Sequence, residues 1–274
     1  MIVSSGERAF TYVVAVVFAV AALLPLIGIV LAALHPPGTL LSGISLPDTL
    51  SLETFRVAWE RGSFSNLMVS SLIVSLGVVV LTTAAAIPAG YAFGLIRFPF
   101  SNALFYVLIA GIIIPLEAII IPLYYSFRDL GLTNTYWALI LPQAGLQVCF
   151  GTFWMRAFFR AAPVEIIEAA QLDGASSWDV LWRVLLPIGR PAVFTLVLLV
   201  FAWSWNEFLL ALVMISDGAH RTAPLGLSAF KSRYGLDVPS LCAAAILVAL
   251  PIVVIYLFTQ RQFIRGVLSG SIKA

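Results

Sequence analysis

Charge is what this sequence most conspicuously lacks. Of 274 residues only 10% are Asp, Glu, Lys or Arg, while 61% are hydrophobic. A soluble domain carries about a quarter charged residues, so water cannot be the solvent for most of this surface, and lipid must be. The net charge of +2 excludes the strongly basic balance of a nucleic-acid binder and offers no field for an acidic substrate. Cysteine is nearly absent too. Cys149 and Cys242 each sit in an apolar stretch without neighbouring ligands, and read as packing residues rather than a disulfide or metal site. The two histidines, His35 and His220, fall in loops with no Ser or Cys partner suggested by sequence. No Gly-x-x-x-x-Gly-Lys-Ser/Thr phosphate loop occurs. No residue set therefore supports chemistry on a substrate or nucleotide hydrolysis by this chain. No Gly/Ser linker marks off a soluble domain and no internal repeat is visible, so residues 1–274 read as one membrane domain.

What is present is a series of apolar runs. A helix needs about 20 mostly apolar residues to cross the hydrocarbon core. Six segments qualify: Phe10–Leu34, Leu67–Ile96, Ala103–Phe127, Tyr136–Met155, Ala192–Ile215 and Leu241–Gln260. Backbone polar groups cannot stay unpaired in lipid, so each span is helical. The first run is too long for the core of a cleaved leader and reads as a span. Pro88, Pro115, Pro122 and Pro142 fall inside spans, as tolerated kinks or as bends that gate. Six spans put both termini on one side. With the termini in the cytoplasm, Lys and Arg divide nine inside against six outside, and Arg156, Arg160, Arg190, Arg261 and Arg265 flank span ends. That bias sets the orientation. Residues 36–64, with a short helix at Leu52–Glu60, and residues 216–240 are then extracytoplasmic loops. Residues 156–190 form the largest cytoplasmic loop.

That loop has the chemistry of a rigid elbow. Pro163 suits a first helical turn, and Glu165 and Glu168 follow where a helix dipole favours negative charge. Ala169, Ala170, Gln171 and Leu172 are good helix formers, and Gly174, after Asp173, supplies a left-handed stop. Ser176 or Ser177 can cap a second helix through Trp178–Leu186, ending at Pro187. A short helix protruding from a membrane bundle can insert into a cleft on a soluble partner and carry the partner's motion to the spans.

Glu168-Ala169-Ala170, then Gly174, then Val184-x-Leu186-Pro187 resembles the EAA signature of binding-protein-dependent ABC importer permeases, with Val for the usual Ile. Three further runs resemble the carbohydrate-type, maltose-class permeases: Trp205-Asn206-Glu207-Phe208, Leu130-Gly131-Leu132-x-Asn134-Thr135, and Gln260-x-x-Phe263-x-x-Gly266 with Gly270. The resemblance implies an all-α membrane protein with six transmembrane helices and the type I ABC importer permease fold. It implies a prokaryotic inner-membrane, multi-pass transport subunit for a sugar, amino sugar, polyol or glycerol phosphodiester. It implies a second homologous permease subunit in a heterodimer, two ABC ATPase subunits that hold Mg-ATP, and an extracytoplasmic solute-binding protein, with no cofactor on this chain and no nucleic acid. Glu168, Ala169, Ala170, Leu172, Asp173, Gly174, Leu186 and Pro187 would then carry the coupling to the ATPase.

Within the spans, acids are costly and so are candidates for function. Glu207 lies beside Asn206 and near Trp203, a grouping that suits a sugar's C–H faces and hydroxyls or, equally, a structural network between helices. Glu117 follows Pro115 and reads as a pathway group or a polar contact to the partner subunit. Asn66 and Ser70 open the second span, lining a pathway or satisfying backbone at the interface. Lys231, Arg233 and Tyr234 are candidates for contact with the binding protein. The rival reading is an ion-coupled secondary transporter with Glu117 or Glu207 as the coupling acid, which leaves the elbow unexplained.

Overall fold

The computed structural model describes residues 5–41, 43–232 and 235–269. Most of them are helical, and the strands among them form one short hairpin. The chain divides into two compact units, residues 1–65 with 226–251 and residues 66–225 with 252–274.

In the first unit, α1 (Ser5–Ala33) carries Pro25 without breaking and is apolar almost all round, with Phe10, Val16 and Phe18 each at least 60% exposed. Such a helix has lipid or another protein as its solvent. The expected short helix is α2 (Glu53–Arg61), braced by Arg56 with Glu53 at 2.9 Å and Glu60 at 3.7 Å. The Thr54 hydroxyl donates to the His35 carbonyl at 2.6 Å and the Ser51 N–H to Leu34 at 2.8 Å, so the 36–64 loop is tied to the end of α1. β1 (Lys231–Ser232) and β2 (Gly235–Leu236) pair antiparallel.

The second unit holds one continuous apolar core built by α3 (Phe64–Leu95), α5 (Leu116–Asp129), α6 (Trp137–Ala161) and α10 (Arg190–Trp205), whose deepest members include Val78, Leu139, Met155, Phe159 and Leu196. Small residues bring the helices close. A Cβ on Gly90 would lie 2.6 Å from Met155 Cβ, and one on Gly77 2.8 Å from the Ile140 side chain. α4 (Ser101–Ile113) approaches α6 at Gly111, where an added Cβ would meet Cys149 Sγ at 2.8 Å. Cys149 is thus a packing residue.

Helices of spanning length and apolarity number four among the described residues: α1, α3, α6 and α12 (Val238–Ser269) as far as Gln260. Two bent pairs bring the number to six if each is one span. One is α4 with α5, bent by 94° at Ile114–Pro115. The expected third span, Ala103–Phe127, is therefore two half-length helices, with the break at Pro115, one of the two prolines noted in it. Pro88, Pro122 and Pro142 lie inside continuous helices; only Pro115, where Ile114 adopts an extended conformation, breaks one. The expected fifth span, Ala192–Ile215, is also broken. α10 stops at Trp205 and α11 (Leu209–Met214) resumes after Asn206–Phe208.

Candidate functional site

The elbow is built as its residues suggested, with two corrections. Pro163 lies at the cap itself (φ −59°, ψ 126°), one residue before α7 (Val164–Leu172). The second helix does not end at Pro187. It starts as α8 (Ser177–Asp179), widens into a π-helical stretch at Val180–Leu185, and continues as α9 (Leu186–Ile188) with Pro187 inside it. In a regular α-helix the proline ring would clash with the carbonyl four residues back. The wider π turn, in which Leu186 N–H reaches Leu181 O, gives it room.

Both elbow ends are satisfied locally. Gly174 N–H donates to Gln171 O at 3.0 Å and Ala175 N–H to Ala170 O at 3.0 Å, the paired bonds of a Schellman stop. Gly174 has φ +83° and open space where a Cβ would be, so glycine is needed for conformation, not for room. Ser176 then starts the next helix. Its hydroxyl accepts from Asp179 N–H at 3.2 Å while Asp179 Oδ2 accepts from Ser176 N–H at 3.3 Å, a reciprocal capping box.

The two faces of α7 are chemically distinct. Ile167 and Ala170 pack with Val180, Leu181 and Leu185 into the core of the second unit. Glu168 and Ala169 are exposed, and Leu172 is 89% exposed, with Trp178 and Trp182 outward beside each other at 5.4 Å between ring centroids. Asp173 and Pro187 are also exposed and Leu186 is half-buried. Leu172 follows Glu168 by four residues, so the apolar side chain and the carboxylate share the outward face of α7. The inner face couples it to the bundle. α9 meets α10 at a 79° bend, where buried Gly189 admits no side chain because a Cβ would come within 2.6 Å of the Phe158 ring. Trp154 Nε1–H pins the start of α10 by donating to Ala192 O at 2.9 Å.

The intramembrane candidates separate by environment. Asn206 is exposed and its amide donates back to Ala202 O at 2.8 Å, finishing α10; Glu207 Oε1 accepts from Leu210 N–H at 2.9 Å, starting α11. Glu207 thereby satisfies an N–H that the break would otherwise orphan, whereas Ala202 O also accepts from Asn206 N–H at 3.2 Å. Trp203 is half-exposed and stands edge-on to Phe150 at 4.8 Å. Glu117 is exposed in the first turn of α5, with no hydrogen bond or ion pair to another described residue. Asn66 is exposed; Ser70 is buried, its hydroxyl 3.1 Å from Tyr136 OH and 3.4 Å from Ala219 O. Trp203, Asn206 and Glu207 share one helix break, and Glu117 lies at the other. Of the binding-protein candidates, Lys231 is exposed at the start of β1. Arg233 and Tyr234 lie outside the described residues.

A polar cluster on the 130–136 and 216–223 segments escaped the sequence reading. Asn134, in the left-handed region at φ +58°, accepts at Oδ1 from Ser216 N–H (2.7 Å), Ser216 Oγ–H (3.0 Å) and Asp217 N–H (3.2 Å). Asp217 is paired to His220 at 2.9 Å, a bond that holds its carboxyl below the usual aspartate range, and His220 packs edge-on to Tyr136 at 4.7 Å. Ser71 Oγ accepts from Ala223 N–H at 2.8 Å. The only trace of this in the sequence was the Leu-Gly-Leu-x-Asn-Thr run, whose partners lie about 80 residues away.

Comparison with known proteins accounts for these features. Residues 86–268 match the family model described as binding-protein-dependent transport system inner membrane component. The chain is 34% identical over 267 residues to a probable ABC transporter permease of Bacillus subtilis, YurM, covering 96% of this chain and 86% of that one. It is 31% identical over 257 residues to the arabinooligosaccharide transport permease AraQ of Halalkalibacterium halodurans, covering 92% and 91%. In fold it is similar to the crystal structure of a bacterial ABC transporter involved in the import of the acidic polysaccharide alginate, with a TM-score of 0.78, 22% identity, and 95% and 98% of the two chains covered. The ion-coupled alternative loses its support, since a family defined by dependence on a binding protein needs no coupling acid. The chain belongs to the binding-protein-dependent inner-membrane components and is the permease subunit of an ATP-binding-cassette importer, a transport subunit rather than an enzyme.

Proposed function

We propose that this subunit imports a carbohydrate or carbohydrate-like solute, and that the outward face of α7 is its docking surface for the ATPase. Similar permeases named for diacetylchitobiose, trehalose and arabinooligosaccharides support the solute class. The observation that carries the coupling is the elbow: Glu168, Ala169 and Leu172 stand exposed on a helix whose opposite face is packed into the core. Glu168 pairs with a basic residue in a cleft of the ATPase, and Ala169 and Leu172 fill the cleft, while Ala170, expected there from the family pattern, packs inward against the core. Asp173 and Gly174 end the docking helix, and Leu186 and Pro187 pass its motion to α10.

Both termini and the elbow are cytoplasmic. The working assembly is this chain, a second homologous permease in a heterodimer, two ATPase subunits holding Mg-ATP, and the binding protein, which touches Lys231, Arg233 and Tyr234. ATP closure of the ATPase dimer draws the elbows together and opens the spans outward; hydrolysis resets them. The ligand contributes only the bias between two states. Glu117, Asn66, Trp203 and Asn206 face the path or the second permease. Ser70 and Glu207 act chiefly in holding helix ends.

Glu168→Lys tests the docking. Co-purification of the ATPase in mild detergent and solute-stimulated hydrolysis should both fall at least tenfold, with the permease pair still assembled. Intact association and stimulation would remove Glu168 from the interface. Solute class is checked separately, by a carbohydrate screen on the binding protein.

A further inference from the structure

The inner corner of the elbow holds a groove that shares only Leu186 and Pro187 with the coupling residues. Trp182, Leu186, Pro187, Val193, Phe194 and Val197 line a cavity of about 380 Å³, and its one charged residue is Arg190. It forms where α9 and α10 diverge by 79°, and the glycine at that corner is clamped against Phe158, so the groove is a fixed feature of the backbone. Nearby arginines are engaged: Arg183 pairs with Asp179 at 3.2 Å, and Arg156 donates to Phe93 O at 3.0 Å and covers the Phe105 ring at 3.9 Å. Arg190 is exposed and has no hydrogen bond or ion pair to another described residue. The rest of the lining is aliphatic, aromatic or proline.

We propose that this groove binds one anionic glycerophospholipid from the leaflet beside the elbow, with an acyl chain along Leu186, Val193, Phe194 and Val197 and its phosphate on Arg190. Apart from Arg190 and the Trp182 indole N–H, the lining has no hydrogen-bonding side chain. A solute rich in hydroxyls would therefore lose its water there without replacement, whereas an amphiphile with an apolar body and an anionic head meets complementary groups at both ends. Trp182, partly exposed and in the same lining as Arg190, suits the headgroup level. Basic pockets between helices at the membrane surface attract anionic headgroups with about 1 kcal/mol per cation, which is about a fivefold preference over a zwitterionic lipid.

The test uses the assembled transporter in nanodiscs of mixed phosphatidylglycerol and phosphatidylcholine. Native mass spectrometry should show phosphatidylglycerol retained about fivefold over phosphatidylcholine, falling to near parity in Arg190→Gln and surviving in Arg190→Lys. Equal retention in wild type and Arg190→Gln would overturn the proposal. Because Arg190→Gln could weaken assembly, a photoreactive phenylalanine at position 194 gives an independent readout in membranes. A phospholipid-mass adduct on this chain is the expected result. Crosslinking instead to the second permease subunit would assign the groove to that interface and overturn the lipid.

Discussion

Gly174 and Asn134 both hold left-handed backbone, at φ +83° and +58°, for different reasons. Around Gly174 there is space for a side chain, so the penalty of substitution is purely conformational, about 1–2 kcal/mol for an ordinary residue and less for Asn. Gly174→Val should therefore cut solute-stimulated ATPase activity while leaving the bundle assembled, and Gly174→Asn should restore much of it. If the two variants behave alike, the left-handed stop is not what orders the elbow. Asn134 adds three accepted hydrogen bonds to its backbone role. Asn134→Gly keeps the conformation and removes the bonds; each is worth about 1 kcal/mol net. Hydrogen exchange at the Ser216 and Asp217 amides should accelerate about tenfold or more in that variant. Gly174 was legible because its stop is local, with both partner carbonyls within five residues. Asn134 was not, since nothing in positions 130–135 names Ser216 as its partner.

At the scale of the element, glycines that look alike in sequence divide by what faces them. A Cβ on Gly90 of α3 would sit 2.6 Å from Met155 Cβ and 2.9 Å from the Arg156 backbone nitrogen, which cannot swing aside. Gly90→Ala should cost about 1–3 kcal/mol of overpacking, seen as a lower thermal midpoint of the assembled complex. Gly145 of α6 faces open space, and Gly145→Ala should leave that midpoint unchanged or raise it, since alanine favours helix by up to about 1 kcal/mol. Prolines divide in the same way. Pro115 opens a 94° bend while Pro88, Pro122 and Pro142 stay within helices. Four prolines in apolar runs carry the same local signal; neighbouring helices decide which backbone gap can be left open. The break at Asn206–Phe208 had no such signal at all, because its repair by Asn206 and Glu207 is a matter of side-chain aim.

For the molecule as a whole, sidedness is the property on which the function turns. Leu172 is 89% exposed on the elbow and Gly218 is exposed in the loop held by Asn134. A single cysteine at position 172 should react with a membrane-impermeant maleimide only in inside-out vesicles, and one at position 218 only in intact cells or spheroplasts. The native Cys149 and Cys242 are half-buried and should label slowly. Labelling of both positions from one side would refute the orientation and, with it, the assignment of the elbow to a cytoplasmic ATPase.

Composition alone determined that this protein lives in lipid as helices, because so few charges cannot cover a soluble surface and unpaired backbone cannot exist in hydrocarbon. The residues from Pro163 to Ser176 determined that it has a helix–stop–helix elbow, because caps and stops act over one helical turn. Tertiary structure decided where the third and fifth spans break, that Pro187 lies within a π-widened helix, and that Ser70 and Glu207 are engaged in holding neighbouring segments. The Ser70 contacts join residues far apart in the chain, and the π turn and the Glu207 cap, though local, depend on backbone register and side-chain aim that residue types alone do not encode.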